Sequence, residues 1–137
     1  MDDFRQVIDL DQLTSDDTVT LARTAAEAIR GLNWTTNSPA GLDQPSTVCD
    51  IIGALALAAS RLPQLITQIS AYLSHALGGG QLGHDLGQDP ALAVDGTVIF
   101  LADARMCARA LAGSLDAAQQ QLALINGQPA PCRKDTP

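Results

Sequence analysis

Apolar and polar positions alternate most regularly between Pro45 and Leu77. Val48, Ile52, Leu55, Ala59, Leu62, Ile66, Ile69, Leu73 and Ala76 follow one another at intervals of 4, 3, 4, 3, 4, 3, 4 and 3. This is a heptad-like seam, and it predicts a long helix with one face committed to packing. A second row, Ile51, Ala58, Leu65 and Tyr72, widens that face. Pro63 interrupts the stretch. Inside a helix a proline removes one backbone hydrogen bond and crowds the carbonyl four residues earlier, at about 3 kcal/mol. The seam crosses Pro63 without losing phase. That continuity favours one helix kinked at Pro63 over two helices with Pro63 in the first turn of the second. Pro45 suits a first turn, and Thr47 and Asp50 have the spacing of a cap and its acid.

A shorter helix precedes it. Thr14 or Ser15 can cap its start, with Asp16 and Asp17 where the helix dipole favours negative charge. Thr14 and Asp17 have capping-box spacing. Val19, Ala22, Ala26, Ile29 and Leu32 form its stripe, and Gly31 is its expected terminator. Residues 33–44 then read as a loop, from which Trp34 and Leu42 fold back as plugs over a bundle end. Before the helix, residues 1–13 suit either a short helix or an extended arm.

The last helix has the clearest start, with Asp89 as cap and Pro90 in the first turn. Its apolar row is Val94, Val98, Leu101, Ala104, Ala108, Leu111, Leu115, Ala118, Leu122 and Ile125, closed by Asn126 and Gly127. It is expected to hold about 36 residues, roughly 54 Å. Between the two long helices lies GGGQLGHDLGQ, residues 78–88, a flexible loop with five glycines. Gly53, Gly96 and Gly113, costly inside helices, mark points of close helix approach.

The fold expected from this pattern is all-α. It is an antiparallel bundle of three or four helices, dominated by a long hairpin and occupying residues 1–127. The tail, 128–137, is expected to be disordered. At 137 residues the chain has the length of one domain. The hydrophobic fraction is 46% but aromatics make up only 3%, so the core must be aliphatic and rich in alanine. The first helix is about half as long as the other two, which leaves part of the hairpin face uncovered.

The net charge is −7, and Lys134 is the single lysine. A nucleic-acid binder needs a basic patch to displace counterions, and none is visible. No basic-then-apolar leader opens the sequence, and the longest apolar run, Ile51 to Ala59, is short for a membrane span. Cys49, Cys107 and Cys132 are odd in number and far apart, without metal-ligand spacing. Cys49 and Cys107 read as small core or near-core residues. These features fit the cytoplasm, with no membrane partner.

Candidate chemistry is sparse. His75, His84, Asp85 and Asp89 lie within 15 residues, and imidazole with carboxylate can bind a divalent ion. Only Asp85 and Asp89 are four apart, and they fall on the loop and at its edge rather than within a helix. The glycine-rich loop lacks the lysine and the preceding strand of a phosphate loop. Bundles that hold di-metal centres need several glutamates, and this chain has only Glu27 beside fourteen scattered aspartates. No cofactor is implied, and the balance is against an enzyme. Arg105 and Arg109, at i and i+4, form either a row of solvated charge or a grip for an acidic partner. Trp34, the single tryptophan, is a core anchor or a contact residue.

Gly41-Leu42-x-x-Pro45-x-x-Val48, with Ile52-Gly53-x-Leu55 and Ala58-Ala59-x-x-Leu62-Pro63-Gln64, resembles small helical proteins of uncertain function in actinobacteria. The resemblance covers about a quarter of the chain and implies no activity. Secreted helical hairpins with a Trp-x-Gly turn differ, because Thr35 and Thr36 follow Trp34 here. The function expected is that of a non-enzymatic protein acting through protein–protein contact, self-associating (a dimer foremost) and accessory or regulatory. Trp34, Arg105 and Arg109 are its candidate contact residues. The alternative is a small-ligand or metal-binding bundle using loop 78–88. An acidic mimic that occupies a basic protein is a third reading.

Overall fold

The structure is a computed structural model, and it describes residues 11–127. Among the described residues it is all-helical, with three helices. These are α1 (Ser15–Thr36), α2 (Pro45–Gly78) and α3 (Pro90–Leu122). The chain divides into two compact units, 1–43 and 44–137. Residues 1–10, most of the segment read as a short helix or an extended arm, and the tail 128–137, expected to be disordered, lie outside the described residues.

In the first unit, α1 starts where the capping box places it. The Thr14 hydroxyl accepts from the Asp17 N–H at 3.3 Å, and the Asp17 carboxylate accepts from the Thr14 N–H at 3.0 Å. Two of the helix's orphan donors are thereby satisfied. The end differs from expectation, since α1 runs through Gly31 to Thr36 with Asn37 as C-cap. A glycine permits a left-handed stop but does not impose one, and Gly31 keeps a negative φ. What ends the helix is local polar competition. Thr35 and Thr36 donate their hydroxyls to the Leu32 carbonyl at 3.3 and 2.7 Å, and Ser38-Pro39 follows. Gly41 closes the turn, because a Cβ there would overlap the Thr35 carbonyl. No residue of α1 is buried.

In the second unit, α2 and α3 pack against each other. Pro45 occupies the first turn of α2, behind an extended Gln44, and no side chain caps it. Thr47 therefore lies inside the helix rather than at its cap; the fixed φ of Pro45 starts the helix two residues earlier. One helix continues through Pro63. At its far end, Gly80 has φ +70°. Its N–H donates to Leu77 at 3.1 Å, and the Gln81 N–H donates to Ala76 at 3.0 Å. This pair of bonds is a Schellman motif, so the triple glycine is a helix cap before it is a linker. Asp89 caps α3 by accepting from the Ala91 N–H at 2.9 Å. That helix is 33 residues long, not 36. Its last turn tightens to i→i+3 bonds from Leu124 to Gln121 and from Ile125 to Leu122.

The buried residues are few and small. Among the described residues, Ala56, Ala59, Ala76, Val94 and Ala108 are the buried apolar side chains, all in α2 and α3. Alanine-lined contact lets two helices approach closely, but it removes little apolar surface from water.

Candidate functional site

The contact between α2 and α3 follows much of the predicted seam but is turned by part of a residue, so that at some levels it passes to the next position. On α2 the apolar and small residues that lose exposure include Val48, Cys49, Ile51, Ile52, Gly53, Leu55, Ala56 and Ala59 in the first half, and Pro63, Ile66, Ser70, Leu73, Ala76 and Leu77 in the second. Val48, Ile52, Leu55, Ala59, Ile66, Leu73 and Ala76 belong to the predicted seam, but Leu62 and Ile69 stay exposed. The same rotation occurs on α3. Val94, Val98, Leu101, Ala108, Leu115 and Leu122 are covered as expected, while Arg105, Ala112 and Gln119 replace Ala104, Leu111 and Ala118.

Two polar contacts join the helices on the positions that the contact takes in place of the seam. The Arg105 guanidinium donates to the Thr67 hydroxyl at 3.1 Å. The Gln119 amide donates to the Cys49 carbonyl at 3.4 Å. Gly53 makes room for the second contact, since a Cβ there would overlap the Gln119 side chain. Of the three helix-interior glycines, it alone marks a close approach. Gly96 and Gly113 face open space within 4 Å.

The rotation leaves a second apolar stripe on each helix. On α2 it runs Ile51, Leu55, Ala58, Leu62, Leu65, Ile69, Tyr72, again at intervals of 4 and 3. Leu62, Leu65, Ile69 and Tyr72 are exposed, Tyr72 to 65%. On α3 it runs Thr97, Phe100, Ala104, Cys107, Leu111, Ser114, Ala118, every member exposed. Phe100 is 75% exposed. Neither stripe holds a charged residue. Cys107, expected near the core, is an exposed free thiol, because it lies on this stripe and not on the packed side. The grooves between α2 and α3 are lined differently. Ser60, Gln64, Thr67 and Gln68 of α2 meet Arg109 and Ala112 in one. Gly53, Leu57 and Ser60 meet Gly113, Asp116 and Gln119 in the next.

The remaining candidate residues divide by role. His84 accepts the Leu86 N–H on Nδ1 at 3.1 Å and so shapes its own turn. Asp89 is occupied as the α3 cap. His75 sits in the last turn of α2, and Asp85 lies in the turn after His84. No group of three or more His, Cys, Asp or Glu among the described residues is placed to hold a metal ion. Arg105 is half-buried and bonded to α2, so it is a packing residue; Arg109 is exposed in the polar groove. Trp34, in the first unit, is 83% exposed on the last turn of α1. It lies within the helix and not in the loop expected after Gly31, because α1 extends through it.

By length and composition α2 is also long and apolar enough to cross a membrane, although its longest uninterrupted apolar run is short. Comparison with known proteins adds no relative: no family model, no curated protein and no solved structure matches the chain.

Proposed function

We propose that the chain is a non-enzymatic, self-associating helical protein of the cytoplasm, with an accessory or regulatory role exercised through protein–protein contact. In this reading α2 and α3 form an antiparallel hairpin, bent at Pro63, that is half of a helical bundle completed by association. Residues late in α3 meet residues early in α2, as Gln119 meets Cys49, and Arg105 meets Thr67 further along. Those pairings support the opposed directions.

One observation carries the proposal. The α2 and α3 unit buries four alanines and a valine and leaves Leu62, Leu65, Ile69, Tyr72, Phe100 and Leu111 in water. Burial contributes about 25 cal/mol per Å² of apolar surface. A unit that withholds its largest side chains from any core gains the missing stabilisation from a partner. The test is sedimentation velocity of the full chain across a hundredfold range of concentration, starting near micromolar. Concentration-dependent association is the expected result. A folded monomer throughout the range overturns the reading.

A further inference from the structure

We infer that the two stripes, exposed but for the half-buried Ile51 and Leu55, form one continuous face, and that its occupant is the same face of a second copy, turned by a two-fold axis parallel to the helices. This rests on the self-associating hairpin proposed above and names the surface that does the associating.

Each stripe lies about 100° round its helix from the packed side, in the same rotational sense, at 3.6 residues per turn. In an antiparallel pair, equal rotations in one sense carry both stripes to the same side. The polar residues Ser60, Gln64, Thr67 and Arg109 then take the opposite side, where they line one groove together.

The face carries its own complement. The bonds from Arg105 to Thr67 and from Gln119 to Cys49 bracket, to within about a turn, which levels of the two helices coincide, and we take an alignment between them. At those levels Leu65 lies beside Ala104, Leu62 beside Cys107, Ala58 beside Leu111, and Leu55 beside Ser114. Large and small residues oppose each other at four successive layers. A two-fold axis along the helices stacks α2 of one copy on α3 of the other and preserves the levels. Each large side chain then enters the space left by a small one, which is how helical layers interdigitate. The stripes from Ile51 to Tyr72 and from Thr97 to Ala118 each run ~33 Å, and two helices side by side are ~20 Å wide. Stacking two such faces buries about 1,300 Å² in total, within the range of specific interfaces. No charge has to be desolvated, so the acidity of the chain does not oppose contact at this face.

The experiment uses the full chain and three variants. Leu65→Asp and Ala104→Glu put a charge on each stripe. Leu57→Asp puts one on an equally exposed leucine of the opposite side. Molar mass by light scattering, helix content by circular dichroism, and peptide-resolved alkylation of Cys107 are measured together. The expected result is two copies for the parent chain and for Leu57→Asp. Leu65→Asp and Ala104→Glu keep their helix content and dissociate at least about tenfold more readily. Cys107 reacts at least about tenfold faster in them than in the parent. If Leu57→Asp dissociates and the stripe variants do not, the face is wrong while self-association stands. A mass above two copies overturns the closed two-fold pair. A monomeric parent chain overturns both readings. In that case a protected Cys107 assigns the face to another segment of the chain, and flotation with phosphatidylcholine vesicles assigns it to lipid.

Discussion

Arg105 and Thr67, 38 positions apart, are joined by a hydrogen bond of 3.1 Å from guanidinium to hydroxyl. The same hydroxyl donates onward to the Pro63 carbonyl at 2.9 Å. Thr67 thus links α3 to the turn of α2 that contains the proline. Thr67→Val keeps the shape and deletes both bonds, and a net loss of about 1 kcal/mol is expected in urea denaturation. The Arg105 Nε is buried with no partner among the described residues, so the arginine already carries a desolvation cost. Arg105→Met in the Thr67→Val background is therefore expected to recover part of the loss. A cycle of the two substitutions with no coupling energy would mean that the bond is not formed in solution.

Gly53 and Gln119 set up a competition that a substitution can resolve. Glycine to alanine in a helix interior gains about 1 kcal/mol. At Gly53 the new Cβ displaces the Gln119 amide, which loses its bond to the Cys49 carbonyl and offsets that gain. Gly53→Ala alone is expected to be near neutral. In the Gln119→Ala background it is expected to stabilise by about 1 kcal/mol. Gly96→Ala and Gly113→Ala meet nothing and are expected to stabilise outright, by about 0.5–1 kcal/mol each in thermal melts.

Within the triple glycine, neighbours separate in sign. Gly78 is helical with open space around its would-be Cβ, and Gly80 has φ +70°. Gly78→Ala is expected to raise stability by about 0.5–1 kcal/mol, and Gly80→Ala to lower it by about 1–2 kcal/mol. Chemical denaturation of the two variants side by side checks the pair. Equal effects would mean that Gly80 does not adopt the left-handed cap.

Trp34 gives the simplest spectroscopic check. With 83% of its surface exposed, its emission is expected to resemble that of free tryptophan in water. Acrylamide should quench it nearly as well in the native chain as in denaturant. Strong protection from quenching would instead mean that the indole is covered in solution.

The starts of the helices were legible because each rests on local chemistry: Thr14 with Asp17, Pro45, and Asp89 with Pro90. Their stops were less so. Gly31 and Gly80 carry the same residue type, yet only Gly80 takes positive φ, because only there do following residues supply the bonds of a cap. Most of the seam was legible, and its phase failed only at particular levels, as at Leu62 and Ile69. Hydropathy selects Leu62 and Ile69 over Pro63 and Ser70, and on a wide apolar arc the larger side chains look like the inner ones. The part of the arc that meets α3 is joined to it by Arg105 and Gln119, whose partners Thr67 and the Cys49 carbonyl lie far away in sequence. Periodicity carries no trace of such pairs.

The alanine contact between α2 and α3 has a consequence for alignment. Side chains with no χ angle interlock weakly, and a slide of one heptad would again bring small residues against small residues. Shape alone therefore leaves several alignments close in energy. The Arg105 guanidinium and the Gln119 amide each find an acceptor in one alignment and are stranded by the slide. Two polar side chains, not the apolar core, are the pins that hold the two helices in step.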